Sequence, residues 1–246
     1  MIRICIIIPA YNEEKSLPLL IPVLNDFFLS DTYKINIVVI NDGSIDNTAK
    51  VAANLECIVI NLEANLGIGG AVQTGLKYAL TNEFDLAIQI DADGQHPPHE
   101  LKKIIEAYSS GDSNIIIGSR FISNEGFQST TLRRIGISYF SVLIMLFTGK
   151  YFSDPTSGFR LFDKKAILLF SKYYPDEFPE PESLVIASRY GLKISEVQVI
   201  MKPRTTGISS IKSTKSIYYM VKVSLSIFFT YLKSKHSGKN GFLINS

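Results

Sequence analysis

A chain of 246 residues, 46% hydrophobic and 20% charged, suits one large globular domain with a real core, alone or with a short appendage. The net charge of +2 hides an asymmetry: no acid follows Glu196, whereas Lys202, Arg204, Lys212, Lys215, Lys222, Lys233, Lys235 and Lys239 do. Such a basic tail points to an anionic lipid surface or a diphosphate, and since no nucleic-acid-binding motif accompanies it, no nucleic-acid partner is expected. Cys5 and Cys57 are the only cysteines, each inside an apolar run, and read as buried thiols of a reduced compartment. The N-terminal apolar run is too short for a signal segment, and no stretch reaches the roughly 20 apolar residues of a spanning helix. Residues 137–149 and 216–232 come nearest and read as buried or interfacial helices. The expected location is cytoplasmic, peripheral at the inner face of the cell membrane.

Along the chain, β-branched runs alternate with helical stretches. The run 3–8 precedes a helix through "SLPLLIPVLNDFFLS", and 35–40 precedes one near "NTAKVAANL". Then come strand 57–62, a helix in "GGAVQTGLKYALTN", strand 85–90, a helix from "PPHELKKIIEAYSS", and strand 114–119. Near-continuous Ile and Val mark strands covered on both faces, as in parallel sheets. The expected class is α/β, with ligands beyond the carboxyl ends of the strands. Residues 121–134 read as an irregular loop before an apolar helix 135–148. A strand near "FRLFDK", helix 164–172, a helix behind the prolines of "FPEPES" and a last strand 192–201 complete the pattern.

Three polar loops, "PAYNEE", "NDGSIDNT" and "DADGQHPP", leave strand ends on one rim. Asp91 and Asp93 repel each other unless a cation lies between or beside them. Mg²⁺ takes one or two carboxylates plus substrate phosphate oxygens, and Gln95 adds a neutral oxygen nearby. The same residues also suit a solvated turn before a helix, with His96 and His99 merely polar. In "PAYNEE", Asn12 fits an N-cap with Glu13 and Glu14 at the helix's positive end, while the ring and acid could also hold a nucleoside. Asp42 offers an acceptor for a base or ribose; Asp46 and Asn47 suit a turn or cap. The glycines of "NLGIGGAVQTG" follow the wrong strand for a dinucleotide fingerprint, so close backbone approach and helix packing are expected of them.

Taken in order, "IIIPAYNEE", "VVINDGSIDNT", "NLGIGGAVQTGLKYAL", "IQIDADGQHPP", "IIIGSRF", "DPTSGFRLF" and "PRTTGISSI" resemble the family 2 glycosyltransferases with the GT-A fold. The likeness spans about residues 2 to 215 and is strongest to dolichyl- and polyprenyl-phosphate sugar transferases and bacterial cell-surface polysaccharide transferases. It implies a catalytic domain over 1–212, with a nucleotide-sugar half (1–119) and an acceptor half (120–212), and a basic amphipathic helix and tail over 213–246. Pro9, Tyr11, Glu13 and Asp42 would hold the nucleoside. Asp91 and Asp93 would bind the nucleotide sugar and Mg²⁺ or Mn²⁺, with Gln95 as a further metal contact. Arg120, Arg133 or Arg134, and Arg204 would neutralise the diphosphate as it leaves.

Two departures stand out: Asn41 replaces the usual first Asp of Asp-Asp-Gly-Ser, and Ser210 stands where lipid-phosphate mannose synthases commonly have lysine, with Lys212 the nearest substitute. The resemblance places a general base at Glu180, with Glu182 the other candidate, to take the proton of an attacking hydroxyl. An ionised lipid phosphate would need no such base. The expected activity is inverting, metal-dependent transfer of a hexose or deoxyhexose from a nucleotide-diphosphate sugar to a hydroxyl of a lipid-linked polyprenyl glycan in cell-surface polysaccharide synthesis. The first alternative is a polyprenyl-phosphate glycosyltransferase; the second is a non-catalytic partner subunit of the same fold. The sequence is compatible with a homo-oligomer.

Overall fold

The computed structural model describes residues 1–27, 33–123, 131–202 and 216–237. β1 (Ile2–Ala10) opens the fold, and α1 (Leu17–Phe27), β2 (Tyr33–Asn41), α2 (Thr48–Ala52), β3 (Ile58–Asn61), α3 (Gly67–Thr81) and β4 (Leu86–Gln89) follow it. α4 (Pro98–Ser109), β5 (Ile115–Ser119), α5 (Thr131–Thr148), β6 (Arg160–Asp163), α6 (Lys164–Lys172), α7 (Pro179–Arg189), β7 (Ile194–Gln198) and α8 (Ser216–Ser237) complete the described elements. One sheet runs in the order β3-β2-β1-β4-β6-β5-β7. β6 lies antiparallel to both of its neighbours, and the other pairings are parallel. The sheet is therefore mixed, as the GT-A expectation requires.

Alternation along β1 divides the core. Cys5 and Ile7 face one side, with Val38, Ile117 and Phe162. Ile4, Ile6 and Ile8 face the other, with Leu17, Leu24 and Ile104. Each isoleucine of β1 from Ile4 to Ile8 is fully buried, which stabilises the fold by roughly 1.5–3 kcal/mol per side chain. The glycines of α3 act as expected of them. A Cβ at Gly69 would strike the Pro175 and Asp176 carbonyl oxygens at 2.1 and 2.4 Å, and one at Gly75 would lie 2.3 Å from Ile7 Cγ2. Helix α3 thus lies directly on β1 while its first turn seats the 175–176 backbone.

Three expectations need correction. Asn12 is not an N-cap: α1 begins only at Leu17, and Asn12 sits at φ 58°, with its Oδ1 accepting from the Ile45 amide at 3.0 Å. The loop before α5 is shorter than expected, since the helix already holds Thr131–Ile135. The last strand stops at Gln198 because the chain then turns toward the acidic loop, where the Lys202 amide donates to the Gln95 carbonyl at 2.9 Å.

Helix α8 packs on α7 and α5. Thr230 donates to Glu182 Oε2 at 2.7 Å, Lys222 pairs with Glu177 at 2.7 Å, and Phe147 of α5 meets Tyr231. Its solvent side carries exposed Val221, Leu225, Phe229 and Leu232 together with Lys222 and Lys233. Among the described residues, no helix is long and apolar enough to cross a membrane.

Candidate active site

The ends of β2, β1 and β4 lie side by side, so Asp42, Tyr11 and Asp91 emerge on one rim about a strand spacing apart. Tyr11 is 46% exposed there, while Pro9 is buried within β1. The first two rim loops are stitched together. The Asn12 amide donates to Ser44 Oγ at 3.0 Å, the Glu13 amide to Thr48 Oγ1 at 2.8 Å, and the Asn47 amide to Glu14 Oε2 at 3.0 Å. Glu13 also receives the Ser16 hydroxyl. Asp42 is buried, and its Oδ1 accepts the Leu66 amide at 2.7 Å just ahead of α3. Asn41 donates from Nδ2 to Asn61 Oδ1 at 2.8 Å, an amide–amide bridge between β2 and β3 that an Asp could not donate into. The departure from Asp-Asp is thus matched by Asn61.

The acidic turn has one open and one closed carboxylate. The Asp91 side chain is 38% exposed. Asp93 is 3% exposed, and its Oδ1 accepts the Gln95 amide at 3.0 Å across Gly94, which takes φ 73°. Gln95 donates from its side chain to the Lys202 carbonyl at 3.3 Å, which ties the turn to the chain leaving β7. His96 is buried rather than merely polar. Its ring stacks on Phe159 with centroids 4.8 Å apart, and its Nδ1 accepts the Asp91 amide at 3.1 Å. Burial brings the imidazole down to about 4, so it is neutral and carries its proton on Nε2. Opposite the turn, Gly158 gives Asp91 room: a Cβ there would lie 3.1 Å from Asp91 Oδ1.

The segment 153–160 ties β7 to the end of β5. Glu196 of β7 accepts the Ser153 amide at 2.8 Å and the Asp154 amide at 2.9 Å. Asp154, fully buried, holds Arg120 in a two-pronged pair, at 2.6 Å to Nε and 2.8 Å to Nη2. This part of the guanidinium braces the "SDPTSG" turn beneath the rim. Arg160, also buried, donates to the Ser157 carbonyl at 2.7 Å, to Ser183 Oγ at 2.7 Å and to the Pro155 carbonyl at 3.0 Å. The first turn of α7 then separates the two glutamates. Glu182 is buried against Thr230 of α8. Glu180 faces the charges of Arg160 and Asp91: burial raises its carboxyl above the usual range, Arg160 opposes that rise, and Asp91 adds to it.

The structure therefore sets Tyr11, Asp42, Asp91, Asp93 and Gln95 along one rim, brings Glu180 into the field of Asp91, and turns Glu182 toward α8. Arg133 and Arg134 are exposed on the first turn of α5, with the Arg134 guanidinium 5.7 Å from the Phe121 ring centre. Arg204, like Lys212, lies outside the described residues. The roles of Asp154, Arg160 and Glu196 went unnoticed in the sequence, and His96 was read there only as polar. Asp154 and Arg160 stand in the quoted "DPTSGFRLF", but their pairing with distant elements leaves no local mark.

A mixed sheet with an acidic turn beyond its parallel strands and a carboxylate on the opposite helix defines a glycosyltransferase of the GT-A class. The profile of glycosyl transferase family 2 matches residues 5–169, and the chain belongs to that family. It is 33% identical over 252 residues to a UDP-N-acetylglucosamine–dolichyl-phosphate N-acetylglucosaminyltransferase of Methanococcus voltae, covering 94% of this chain and 96% of that one. It is 26% identical to a polyprenol monophosphomannose synthase of Mycolicibacterium smegmatis, over 90% of this chain and 86% of that one. Among solved structures, glucosyl-3-phosphoglycerate synthase of Mycobacterium tuberculosis, in complex with Mn²⁺, UDP and glucosyl-3-phosphoglycerate, superposes with a TM-score of 0.67 at 19% identity, over 94% of this chain and 79% of that one. The likeness in that case is one of fold.

Proposed function

We propose that the protein transfers a sugar from a nucleoside diphosphate to the phosphate of a polyprenyl-type lipid, with inversion at the anomeric carbon. The observation that carries this reading is the near full-length match to a dolichyl-phosphate N-acetylglucosaminyltransferase. It favours the alternative acceptor over the glycan hydroxyl expected first. Tyr11, Glu13 and Asp42 would receive the nucleoside, and Asp91 the sugar-bearing diphosphate. Asp91 and Asp93 supply only hard oxygen donors. Among the described residues no set of three His, Cys, Asp or Glu could hold a metal ion. Such a pair fits Mg²⁺ or Mn²⁺ completed by phosphate oxygens and water, with Gln95 close by. When bound, the cation would offset charge on the departing diphosphate. Arg133, Arg134 and Arg204 would add to that effect, together with Arg120, which holds Asp154 and lies in the field of Asp91.

The lipid acceptor accords with the exposed apolar side chains of α5 and α8. Ile135, Val142 and Leu146 of α5 and Val221, Leu225 and Phe229 of α8 recur at helical spacing, and Lys233 lies nearby on α8. These faces would rest on an anionic membrane surface.

One observation favours a hydroxyl acceptor instead: the raised carboxyl of Glu180 is suited to general-base work. The deciding experiment incubates the protein with UDP-N-acetylglucosamine, UDP-glucose or GDP-mannose, Mn²⁺, and either polyprenyl phosphate or a polyprenyl-diphosphate glycan. A sugar–phosphate–lipid product with the first acceptor supports the proposal. Transfer to the second alone replaces it with the hydroxyl reading.

A further inference from the structure

Gln89 has no part in the chemistry above, yet its placement is unusual. It ends β4 two residues before Asp91 and is fully buried. Alternation puts it on the same sheet face as Ala87, toward α6 and α7, opposite Arg160 in the β4–β6 register. Its Oε1 accepts from the Tyr174 hydroxyl at 3.3 Å, while its Nε2 has no hydrogen-bond partner. Buried amide donors without an acceptor are rare because their desolvation is not repaid.

The orphan nitrogen borders the space above Gly158. A Cβ at that glycine would stand 3.2 Å from Gln89 Nε2 and 3.1 Å from Asp91 Oδ1. A donor and an acceptor therefore line one small space that exists because residue 158 has no side chain. The space opens on the flank of Asp91, whose side chain is 38% exposed. An amide N–H beside a carboxylate is complementary to a group that accepts from one and donates to the other, which is a hydroxyl. An ionised phosphate oxygen would satisfy the amide but carries no proton to donate to the Asp91 oxygen beside it.

We propose that Gln89 recognises a ring hydroxyl of the sugar being transferred: its Nε2–H donates to the hydroxyl oxygen, and the hydroxyl in turn donates a hydrogen bond to Asp91 Oδ1. Gln89 is then a specificity-determining residue, and Tyr174 positions it through Oε1. The inference rests on the reading of this rim as the donor site. A site that pairs a substrate hydroxyl discriminates strongly, because an analogue without it leaves buried polar groups unmatched.

The test is calorimetry on the full chain with Mn²⁺, comparing UDP and GDP with UDP-N-acetylglucosamine, UDP-glucose and GDP-mannose. The unaltered protein is expected to bind one sugar nucleotide more tightly than its parent nucleotide. Gln89→Leu, and independently Gln89→Met, should reduce that advantage about tenfold and leave the nucleotide's own affinity within about twofold. An unchanged advantage in both variants overturns the inference. So does an equal loss for nucleotide and sugar nucleotide, which marks Gln89 as structural, and so does a panel in which no sugar adds affinity. Failure of UDP and GDP to bind the unaltered protein would instead refute the donor-site reading itself.

Discussion

Asp91 and Asp93 share a turn but not an environment, and the difference sets what each substitution should do. Asp93 is enclosed and caps the Gln95 amide, whereas Asp91 is open to solvent on one side. Asp93→Asn keeps an oxygen for the cap and removes the charge. It should lower turnover by at least about a hundredfold with little change in melting temperature, measured by donor turnover beside calorimetric unfolding. Normal turnover in Asp93→Asn would remove the metal assignment. Glu180→Gln separates the two acceptors: sugar transfer to a lipid phosphate should persist within a few-fold, whereas transfer to a hydroxyl should fall about 10²- to 10⁴-fold. Arg160 belongs to the scaffold. Its guanidinium reaches three oxygens from a fully buried position, a fork that an ammonium cannot reproduce. Arg160→Lys should cost about 2–3 kcal/mol in chemical denaturation, more than a surface arginine would.

At the level of elements, loops from different strands hold one another in place. Gly43 takes φ 64°, and a Cβ there would lie 2.7 Å from both the Ala64 carbonyl carbon and the Asn65 nitrogen. Backbone on the facing side cannot yield as a side-chain tip could. Gly43→Ala should therefore destabilise by more than about 1 kcal/mol and loosen Asp42, read as a weaker nucleotide affinity by titration. The helices α5 and α8 raise a different question, because their outer faces are apolar where solvent would favour charge. Leu146 is 73% and Phe229 61% exposed. Leu146→Glu with Phe229→Glu should leave the melting temperature nearly unchanged and reduce sedimentation with phosphatidylserine vesicles severalfold. Undiminished sedimentation would dismiss this face as the lipid contact.

For the molecule as a whole, β1 lies buried between β2 and β4, and Cys5 within it is a probe of global opening. Burial pushes its thiol up to about 12. The folded state thus keeps the proton where the unfolded chain has lost it. Stability should be unaffected by this thiol below about pH 9, then fall as pH rises toward 12, by up to about 1.4 kcal/mol per pH unit. Alkylation of Cys5 at pH 8 should follow global unfolding, checked by mass spectrometry against denaturant concentration. What could be read from residue order was the part governed by local rules: apolar runs of strand length, helices between them, and polar loops after β1, β2 and β4. That was enough for the α/β class and for the rim carrying Asp42, Asp91 and Asp93. Periodicity constrains neighbours only, so it was silent on interactions between distant segments. The Arg120–Asp154 brace, the different surroundings of Glu180 and Glu182, the buried His96 and the unpaired Nε2 of Gln89 each depend on which strands lie side by side and on what the folded interior hides from water.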